Sequence, residues 1–342
     1  MLIYFAAALG ALSLSLALTV AVESLAVKKG ILDFPSERKI HKKPIPLLGG
    51  LAVFLSFFTI LLFFKDWLLV GDLTASHWLW FFIGAAFLMI GGVWDDIKSL
   101  PPSKQIIFPI LAVACVIAGG IGIEKVSNPF GGLVMFSDVL SDVFTVIWLM
   151  TIMYTTKLLD GVDGLVSGIS VIGGLIIFLF TATTRYYQPD IALASIVFAG
   201  ACAGFLIRNW NPAKIFLGES GSLLMGYALG VLSIISGGKI AIALLVLGLP
   251  ILDVAWTIVR RLSEGKNPFK TSDKKHLHHR FLSLGLSQKK TALLYYSISA
   301  FFGLSGLFLQ SRGKLMAVSV LLLIMASLIA GFSAWEKKNK KT

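Results

Sequence analysis

The sequence predicts an all-α, polytopic membrane protein, and three observations support this prediction. Of the 342 residues, 56% are apolar and only 14% are charged. The apolar residues gather in long runs, and an α-helix of about 20 residues crosses the hydrocarbon core of a bilayer. The two cysteines, Cys115 and Cys202, lie inside such runs, so they predict neither a disulfide framework nor a metal cluster.

About eleven of these runs are long enough to be membrane helices. They cover residues 2–27, 47–64, 78–94, 104–123, 139–157, 164–181, 190–207, 218–236, 239–257, 291–309 and 315–335. The first run lacks a basic leading segment and is longer than the core of a signal peptide, so we expect a retained helix. We expect one membrane domain over residues 1–342, with a long loop at 258–290 that carries a short amphipathic element, and a basic tail at 336–342.

The positive charges of the chain are concentrated in alternate loops. The net charge is +12, and most of the 30 lysines and arginines fall in one set of alternate loops and in the C-terminal tail. Because short loops rich in Lys and Arg stay in the cytoplasm, the N-terminus is expected outside and the C-terminus inside the plasma or inner membrane. The excess charge therefore indicates topology and contact with membrane lipids rather than a nucleic-acid partner.

The polar residues that could carry chemistry fall on this inner side. They are Asp95, Asp96 and Lys104 in "GGVWDDIKSLPPSK"; Lys157, Asp160 and Asp163 in "KLLDGVDG"; Asn209, Asn211, Phe216 and Glu219 in "RNWNPAKIFLGES"; Asp253; and His276, His278, His279 and Arg280 in "SDKKHLHHRF". Adjacent carboxylates repel unless a proton or a cation relieves them. Mg²⁺ with bound phosphates suits such oxygen ligands, and the nearby lysines and histidines suit an anionic substrate.

Three of these motifs allow a closer structural prediction. The three-residue spacing of Asp160 and Asp163 puts two side chains on one face of a helix, and the interleaved Gly161 and Gly164 allow close approach. "GESGS" opens a helix whose exposed N–H groups can hold an anion; the alternative is an ordinary helix start capped by Ser220 or Ser222. The histidines of "HLHHR" lack the ligand spacing of a closed zinc site and favour a phosphate-binding patch.

In this order, the motifs resemble those of the polyprenyl-phosphate N-acetylhexosamine-1-phosphate transferases. The resemblance covers nearly the whole chain, through "DFPSERKIHKKPIPLLGGLAV", "GVWDDIKSLPPSK", "LLDGVDGLVSGIS", "NWNPAKIFLGESGSLLMGY" and "DKKHLHHRFLSLGLSQKKTALLYY". The form "HLHHRFLSLGLS" is closer to the branch that starts teichoic acids, O-antigens and related glycans than to the phospho-MurNAc-pentapeptide branch of peptidoglycan synthesis.

The resemblance implies a reaction, in which undecaprenyl phosphate attacks the sugar-linked phosphorus of a UDP-N-acetylhexosamine and releases UMP. GlcNAc is the expected sugar, Mg²⁺ the expected cofactor, and a homodimer the expected assembly. The resemblance assigns the lipid phosphate to Asp95 and Asp96, one of them as base, with Lys104 pairing phosphate charge. It further assigns the nucleotide to Asp160 and Asp163, the uridine to Asn209 and Phe216, and phosphate or sugar to Lys43, His276, His278, His279 and Arg280.

Two positions depart from the family pattern. The family usually has Asn where this chain has Lys157, and Asp where it has Glu219, and the family pattern implies metal contact at both. Glu219 can still ligate Mg²⁺, whereas a charged lysine only donates hydrogen bonds. Three interpretations follow: a Lys157–Glu219 ion pair that replaces part of the metal's charge, Mg²⁺ on Glu219 with Lys157 on the diphosphate, or loss of activity. Mg²⁺ on Glu219 is therefore an expectation that Lys157 weakens.

Two other functions compete with the transferase. A transporter of an anion or a lipid would keep its binding groups near the bilayer midplane, whereas here the acids gather at the ends of the runs. A CDP-alcohol phosphotransferase would continue its motif from Asp-Gly into Ala-Arg and two further aspartates, which "DGVDGLVSGIS" does not do. Release of UMP, of CMP or of no nucleotide separates the three.

Overall fold

The computed structural model describes residues 1–36, 40–183, 186–237, 240–265 and 275–339. Over these residues the helices are α1 Leu2–Lys29, α2 Gly49–Phe63, α3 Lys65–Leu68, α4 Ala75–Lys98, α5 Pro102–Gln105, α6 Ile107–Ala118, α7 Asp138–Leu159, α8 Leu165–Thr181, α9 Pro189–Asn209, α10 Gly218–Ile235, α11 Ile240–Val246, α12 Gly248–Ser263, α13 Leu277–Ser283, α14 Gln288–Phe308 and α15 Ser311–Asn339. The strands are β1 Leu32–Asp33, β2 Ile45–Pro46, β3 Lys125–Ser127 and β4 Leu133–Met135. The chain is thus all-α apart from two short hairpins.

Every predicted apolar run has a helical counterpart. In the described part of the chain, 7 helices are long and apolar enough to cross a membrane, namely α1, α4, α7, α9, α10, α14 and Ser311–Phe332 of α15. Three more apolar helices are shorter: Gly49–Phe63, Pro102–Ala118 and Leu165–Thr181. The prediction of an all-α, multi-pass membrane protein is confirmed. The number of about eleven spans and the sides of the termini stay predictions.

The run predicted as one span at 239–257 is divided. Its helices α11 and α12 are bent by 79° at Leu247, so the two together make at most an eighth span. Helix α12 then continues to Ser263, and α13 provides the short element expected inside the loop at 258–290. Residues 266–274 of that loop and 340–342 of the predicted tail lie outside the described residues.

Helices α9 and α10 form the centre of the bundle. Within their apolar windows, 78% and 83% of the residues are buried, against 28% for α1 and 22% for α15. Glycine allows the N-terminal end of α10 to approach its neighbours. A Cβ on Gly50 of α2 would overlap the backbone of Gly221, and one on Gly92 of α4 would overlap Ser220. Small residues let membrane helices pack backbone to backbone, and here they bring α2, α4 and α10 to one point.

A short antiparallel hairpin supports the same end of the bundle. In β1 and β2, Leu32 pairs with Pro46 and Asp33 with Ile45. The N–H of Phe216 donates to the carbonyl of Pro46 at 2.8 Å, which ties the segment before α10 to this hairpin. The strands were not predicted, since two-residue strands leave no periodic pattern in a sequence.

Candidate active site

The start of α10 is capped by a carboxylate from another helix. Asp96, in the last turn of α4, accepts from the N–H of Glu219 at 2.8 Å and from Oγ of Ser220 at 3.0 Å. A carboxylate at a helix N-terminus satisfies unpaired N–H groups and complements the helix dipole. The predicted cap from Ser220 or Ser222 is therefore wrong, and the anion held by "GESGS" is Asp96 itself.

Lys157 and Glu219 form an ion pair between α7 and α10. Nζ of Lys157 lies 2.5 Å from Oε1 of Glu219, and the side chains are 22% and 15% exposed. The same ammonium donates to Oε1 of Gln105 at 3.0 Å, and Nε2 of Gln105 donates to Oδ1 of Asp95 at 3.0 Å. The pair that the sequence left as one of three interpretations is present, and Gln105 extends it to Asp95.

Asp160 is the acid of this cluster whose carboxylate makes no hydrogen bond to the described residues. It follows α7 directly and is half-buried. Burial, together with the nearby carboxylates of Asp96, Glu219 and Asp163, raises its pKa to about 8. Asp160 is thus a carboxyl group that exchanges a proton close to neutral pH.

Asp163 is held by the segment that leads to α10. Its Oδ2 accepts from Nδ2 of Asn211 at 2.7 Å and from the N–H of Ala213 at 3.0 Å. Its own N–H donates to Oε1 of Gln288, at the start of α14, at 3.1 Å. The expectation that Asp160 and Asp163 share a helix face is wrong, because the "DGVDG" segment is a turn between α7 and α8 in which Gly164 has φ 76°.

Asn209 is a buried connector. Its Oδ1 accepts from the N–H of Gly164 at 3.2 Å and from Oγ of Ser167 at 2.8 Å, while its Nδ2 donates to the carbonyl of Ile215 at 2.9 Å. With 3% of its surface exposed, the side chain fixes the "DGVDG" turn against the segment before α10. These bonds use both lone pairs of Oδ1 and one of the two N–H groups of Nδ2, so one N–H is left with which Asn209 could read a base.

The histidine motif lies on the "DGVDG" turn. Nδ1 of His276 donates to Oδ2 of Asp253 at 3.0 Å, and the N–H of Leu277 donates to Oδ1 of the same carboxylate at 3.0 Å. The ring of His278 stacks on His276, and a Cβ on Gly161 would lie 2.8 Å from its Nε2. The "HLHHR" helix is thus fixed by Asp253 and packed against the turn that carries Asp160.

Burial changes what these histidines can do. It holds the pKa of His278 well below its ordinary range, and the neighbouring His279 and His276 lower it further. The ring of His278 is therefore neutral at pH 7 and can act toward a ligand only as a hydrogen-bonding group, not as a cation. In the predicted phosphate patch, Arg280 is the member that is always charged; its Nε donates to the carbonyl of Lys275 at 3.0 Å.

Three predicted binding residues lie at the edge of this site. The side chains of Lys43 and Lys104 are exposed, and no hydrogen bond or ion pair among the described residues ties either to the acid cluster. The ring of Phe216 is half-buried and meets the ring of His41 edge to face at 5.3 Å. A base stacked on Phe216 would therefore lie beside His41, a residue that no sequence pattern selects.

The sequence of this chain is similar to those of known transferases. The sequence profile of glycosyl transferase family 4 matches residues 78–237. The chain is 31% identical over 91% of its length to a probable undecaprenyl-phosphate N-acetylglucosaminyl 1-phosphate transferase of Bacillus subtilis, covering 86% of that protein. It is 33% identical to an undecaprenyl-phosphate alpha-N-acetylglucosaminyl 1-phosphate transferase of Thermotoga maritima, covering 86% of this chain and 87% of the relative. A phospho-N-acetylmuramoyl-pentapeptide-transferase of Limosilactobacillus reuteri is 29% identical over 75% of this chain and 80% of that relative.

The chain belongs to the polyprenyl-phosphate N-acetylhexosamine-1-phosphate transferase family. The predicted resemblance is therefore confirmed, and this member is a multi-pass membrane transferase.

Most carboxylates of the acid cluster are already occupied by hydrogen-bond donors of the protein. Asp95 accepts from Gln105 and from the N–H of Leu100, Asp96 caps α10, and Glu219 holds Lys157. Within the described ranges, no three His, Cys, Asp or Glu side chains are grouped to hold a metal ion. An ammonium has no lone pair for a cation, so the residues of this site do not fit a resident Mg²⁺. The Mg²⁺ expected on Glu219 stays a prediction that this arrangement disfavours.

Several residues of the site were not predicted from the sequence. Gln105 bridges Asp95 and Lys157, and Gln288 receives the N–H of Asp163. Both are single amides, at the end of α5 and at the start of α14, and no sequence pattern selects them. Asp253 was named from the sequence as an acid near the end of an apolar run, but its bond to His276 was not predicted.

Proposed function

We propose that the protein transfers N-acetylglucosamine 1-phosphate from UDP-N-acetylglucosamine to a polyprenyl phosphate, releasing UMP, at the cytoplasmic face of the cell membrane. One observation carries the proposal: the ends of α4, α7 and α10 and the "HLHHR" helix bring their acids, lysine and histidines to one end of the bundle. The names of the relatives support N-acetylglucosamine and a polyprenyl phosphate as substrates.

The reaction is a displacement at phosphorus. An oxygen of the lipid phosphate forms a bond to the sugar-linked phosphorus of the donor, and the bond from that phosphorus to the bridging oxygen breaks. UMP leaves with the electron pair, so the products are a lipid diphosphate sugar and UMP. In phosphoryl transfer, catalysis comes mainly from positioning and from neutralising charge, which suits a site of fixed polar side chains.

In this proposal Asp160 accepts the proton of the lipid phosphate. The second pKa of a phosphate monoester is about 6, so transfer to a carboxylate with a pKa of about 8 is favourable. Asp160 also lacks the hydrogen bonds that occupy Asp95 and Asp96, the residues first assigned to this role. Asp95 and Asp96 then position the loop after α4 and the start of α10.

The substrates bind through the remaining residues. His279 and Arg280, the half-buried members of the "HLHHR" motif, contact the phosphates or the sugar, and the buried His276 and His278 hold that helix on the "DGVDG" turn. Lys43 and Lys104 attract the anions from the rim. Phe216 stacks on the uracil ring. The identity of the N-acetylhexosamine, the length of the lipid and a homodimer stay predictions.

The test is nucleotide release by the purified full-length protein with UDP-GlcNAc and undecaprenyl phosphate. We expect UMP in proportion to lipid-linked sugar, and loss of both in Asp160→Asn. Asp138→Asn is the matched control, because Asp138 is exposed at the other end of α7. Release of CMP from a CDP-alcohol, or uptake of an anion without any nucleotide product, would replace the proposal with one of its alternatives.

A further inference from the structure

The acid cluster is built around a fixed ammonium group. Nζ of Lys157 donates to Oε1 of Glu219 at 2.5 Å and to Oε1 of Gln105 at 3.0 Å, and it lies 5.4 Å from the centroid of the Tyr154 ring. Two of its three N–H groups are thus used within the protein, and one remains for a substrate oxygen.

Backbone and side chains hold this ammonium in place. Lys157 is in the last turn of α7 and Glu219 in the first turn of α10, so each charge complements the dipole of its own helix. Gly226 lets the two helices touch, since a Cβ there would overlap Met153 and Thr156. A lysine side chain that is 22% exposed and anchored by two acceptors is preorganised rather than free to reach many positions.

The same contacts leave Asp160 as the acid of the cluster whose carboxylate has no hydrogen bond among the described residues. Mg²⁺ is bound in near-octahedral geometry through one or two carboxylates, with waters and substrate phosphates in the other positions, so without substrate Asp160 is the carboxylate that remains for it. Asp95 and Asp96 already accept bonds from N–H and O–H groups, and Glu219 is neutralised by Lys157. A cation placed beside Lys157 would also be repelled by the ammonium.

We propose that Lys157, anchored by Glu219 and Gln105, is the resident cation of this site and replaces a protein-bound divalent metal in neutralising the diphosphate. The proposal rests on the proposed transferase function. During the displacement, the third N–H of Lys157 binds an oxygen of the diphosphate whose negative charge grows as UMP leaves. Charge that is fixed before the reaction stabilises such a transition state without reorganisation.

The first test measures metal binding, which does not depend on activity. Purified full-length protein without nucleotide is titrated with Mn²⁺, and free and bound ions are counted by electron paramagnetic resonance. The wild-type protein is expected to bind no Mn²⁺ at this site, whereas Lys157→Asn combined with Glu219→Asp is expected to gain one Mn²⁺. Lys125→Asn with Glu124→Asp, the same pair of changes beside the exposed β3–β4 hairpin, is the matched control and should gain none.

The second test measures UMP release in excess Mg²⁺ and in EDTA. Wild-type protein is expected to keep its rate within about twofold in EDTA, and Lys157→Met to lose about 100-fold in both conditions. The Asn–Asp double variant is expected to need Mg²⁺. One Mn²⁺ bound by wild-type protein and released by Glu219→Gln would overturn the proposal, as would a wild-type rate that EDTA abolishes and Mg²⁺ restores.

The two proposals fail in different ways. If no UMP forms in any condition, the proposed function fails, and the Mn²⁺ titration still decides whether Lys157 excludes a metal. If UMP forms only with Mg²⁺ and wild-type protein binds Mn²⁺, the transferase function holds and the role of Lys157 is wrong.

Discussion

Replacing Asn209 by Ala tests whether this residue is a structural connector or part of the uridine site. Its amide joins the "DGVDG" turn to the segment before α10 through Gly164, Ser167 and Ile215. Alanine removes all three bonds and leaves the N–H of Gly164 and the carbonyl of Ile215 without this partner. Gly164 is fixed at φ 76°, so the turn cannot readily rotate to find another.

The cost follows from these orphaned groups. A buried backbone N–H or C=O that loses its partner costs about 1–3 kcal/mol, so the two together cost about 2–6 kcal/mol. Ser167 contributes less, because its Oγ also donates to the carbonyl of Gly164 at 3.2 Å. We therefore expect Asn209→Ala to lower the free energy of unfolding by about 4 kcal/mol, or the melting midpoint by roughly 5–10 °C.

Thermal unfolding in detergent, followed by intrinsic fluorescence, measures this change. Asn128→Ala is the control, because Asn128 makes a single exposed bond to the N–H of Phe130, and we expect its midpoint to move by less than about 1 °C. The KM for UDP-GlcNAc is measured on the folded fraction of each variant. A wild-type midpoint for Asn209→Ala with a KM raised tenfold or more (about 1.4 kcal/mol) would refute the connector role and restore the predicted contact with uridine.

Three further predictions concern the neighbouring groups. Lys157→Met should lower the free energy of unfolding by about 1–3 kcal/mol, because it leaves the half-buried carboxylate of Glu219 without its partner. Adding Glu219→Gln should recover part of that loss, as a double-mutant cycle of chemical unfolding would show. Because burial raises the pKa of Asp160 to about 8, its carboxylate form grows as pH rises through 8. The protonated lipid phosphate, with a second pKa of about 6, declines over the same range, so the rate of UMP release should peak near pH 7 and fall about tenfold by pH 9. Asp253→Asn weakens the charge-assisted bond to His276 and should cost about 1–2 kcal/mol of stability, seen as a lower melting midpoint.

The helices could be predicted because a segment that crosses the bilayer needs an apolar run of about 20 residues. Apolar runs of membrane length located every long helix, and most of their ends lie within a few residues of the predicted limits. The bend at Leu247 could not be found in this way, since α11 and α12 are both apolar near the break. The "DGVDG" turn was misassigned for a related reason: three-residue spacing fits a helix, but its glycines allow a turn that only the packing of the bundle selects.

The composition of the site could be predicted, whereas its internal contacts could not. The order of the acidic, glycine-rich and histidine motifs identified the family. The loops that carry these motifs were predicted to lie together, and in the structure they meet at one end of the bundle. Which oxygens stay free depends on neighbours distant in sequence: Glu219 lies 123 residues after Asp96, whose carboxylate its N–H occupies. The resemblance therefore assigned the base to Asp95 or Asp96 and the nucleotide to Asp160, although hydrogen bonds occupy Asp95 and Asp96 and leave the carboxylate of Asp160 without one among the described residues.

The two departures from the family pattern have a single physical explanation. A lysine at 157 without an acid opposite would put an unpaired ammonium in a half-buried position, and a glutamate at 219 without the lysine would add a carboxylate to a cluster that already holds Asp96 and Asp160. Together they meet at 2.5 Å, across two helices whose separation is set by Gly226. Each residue is thus costly alone and favourable with the other, so relatives that change one of these positions should change both.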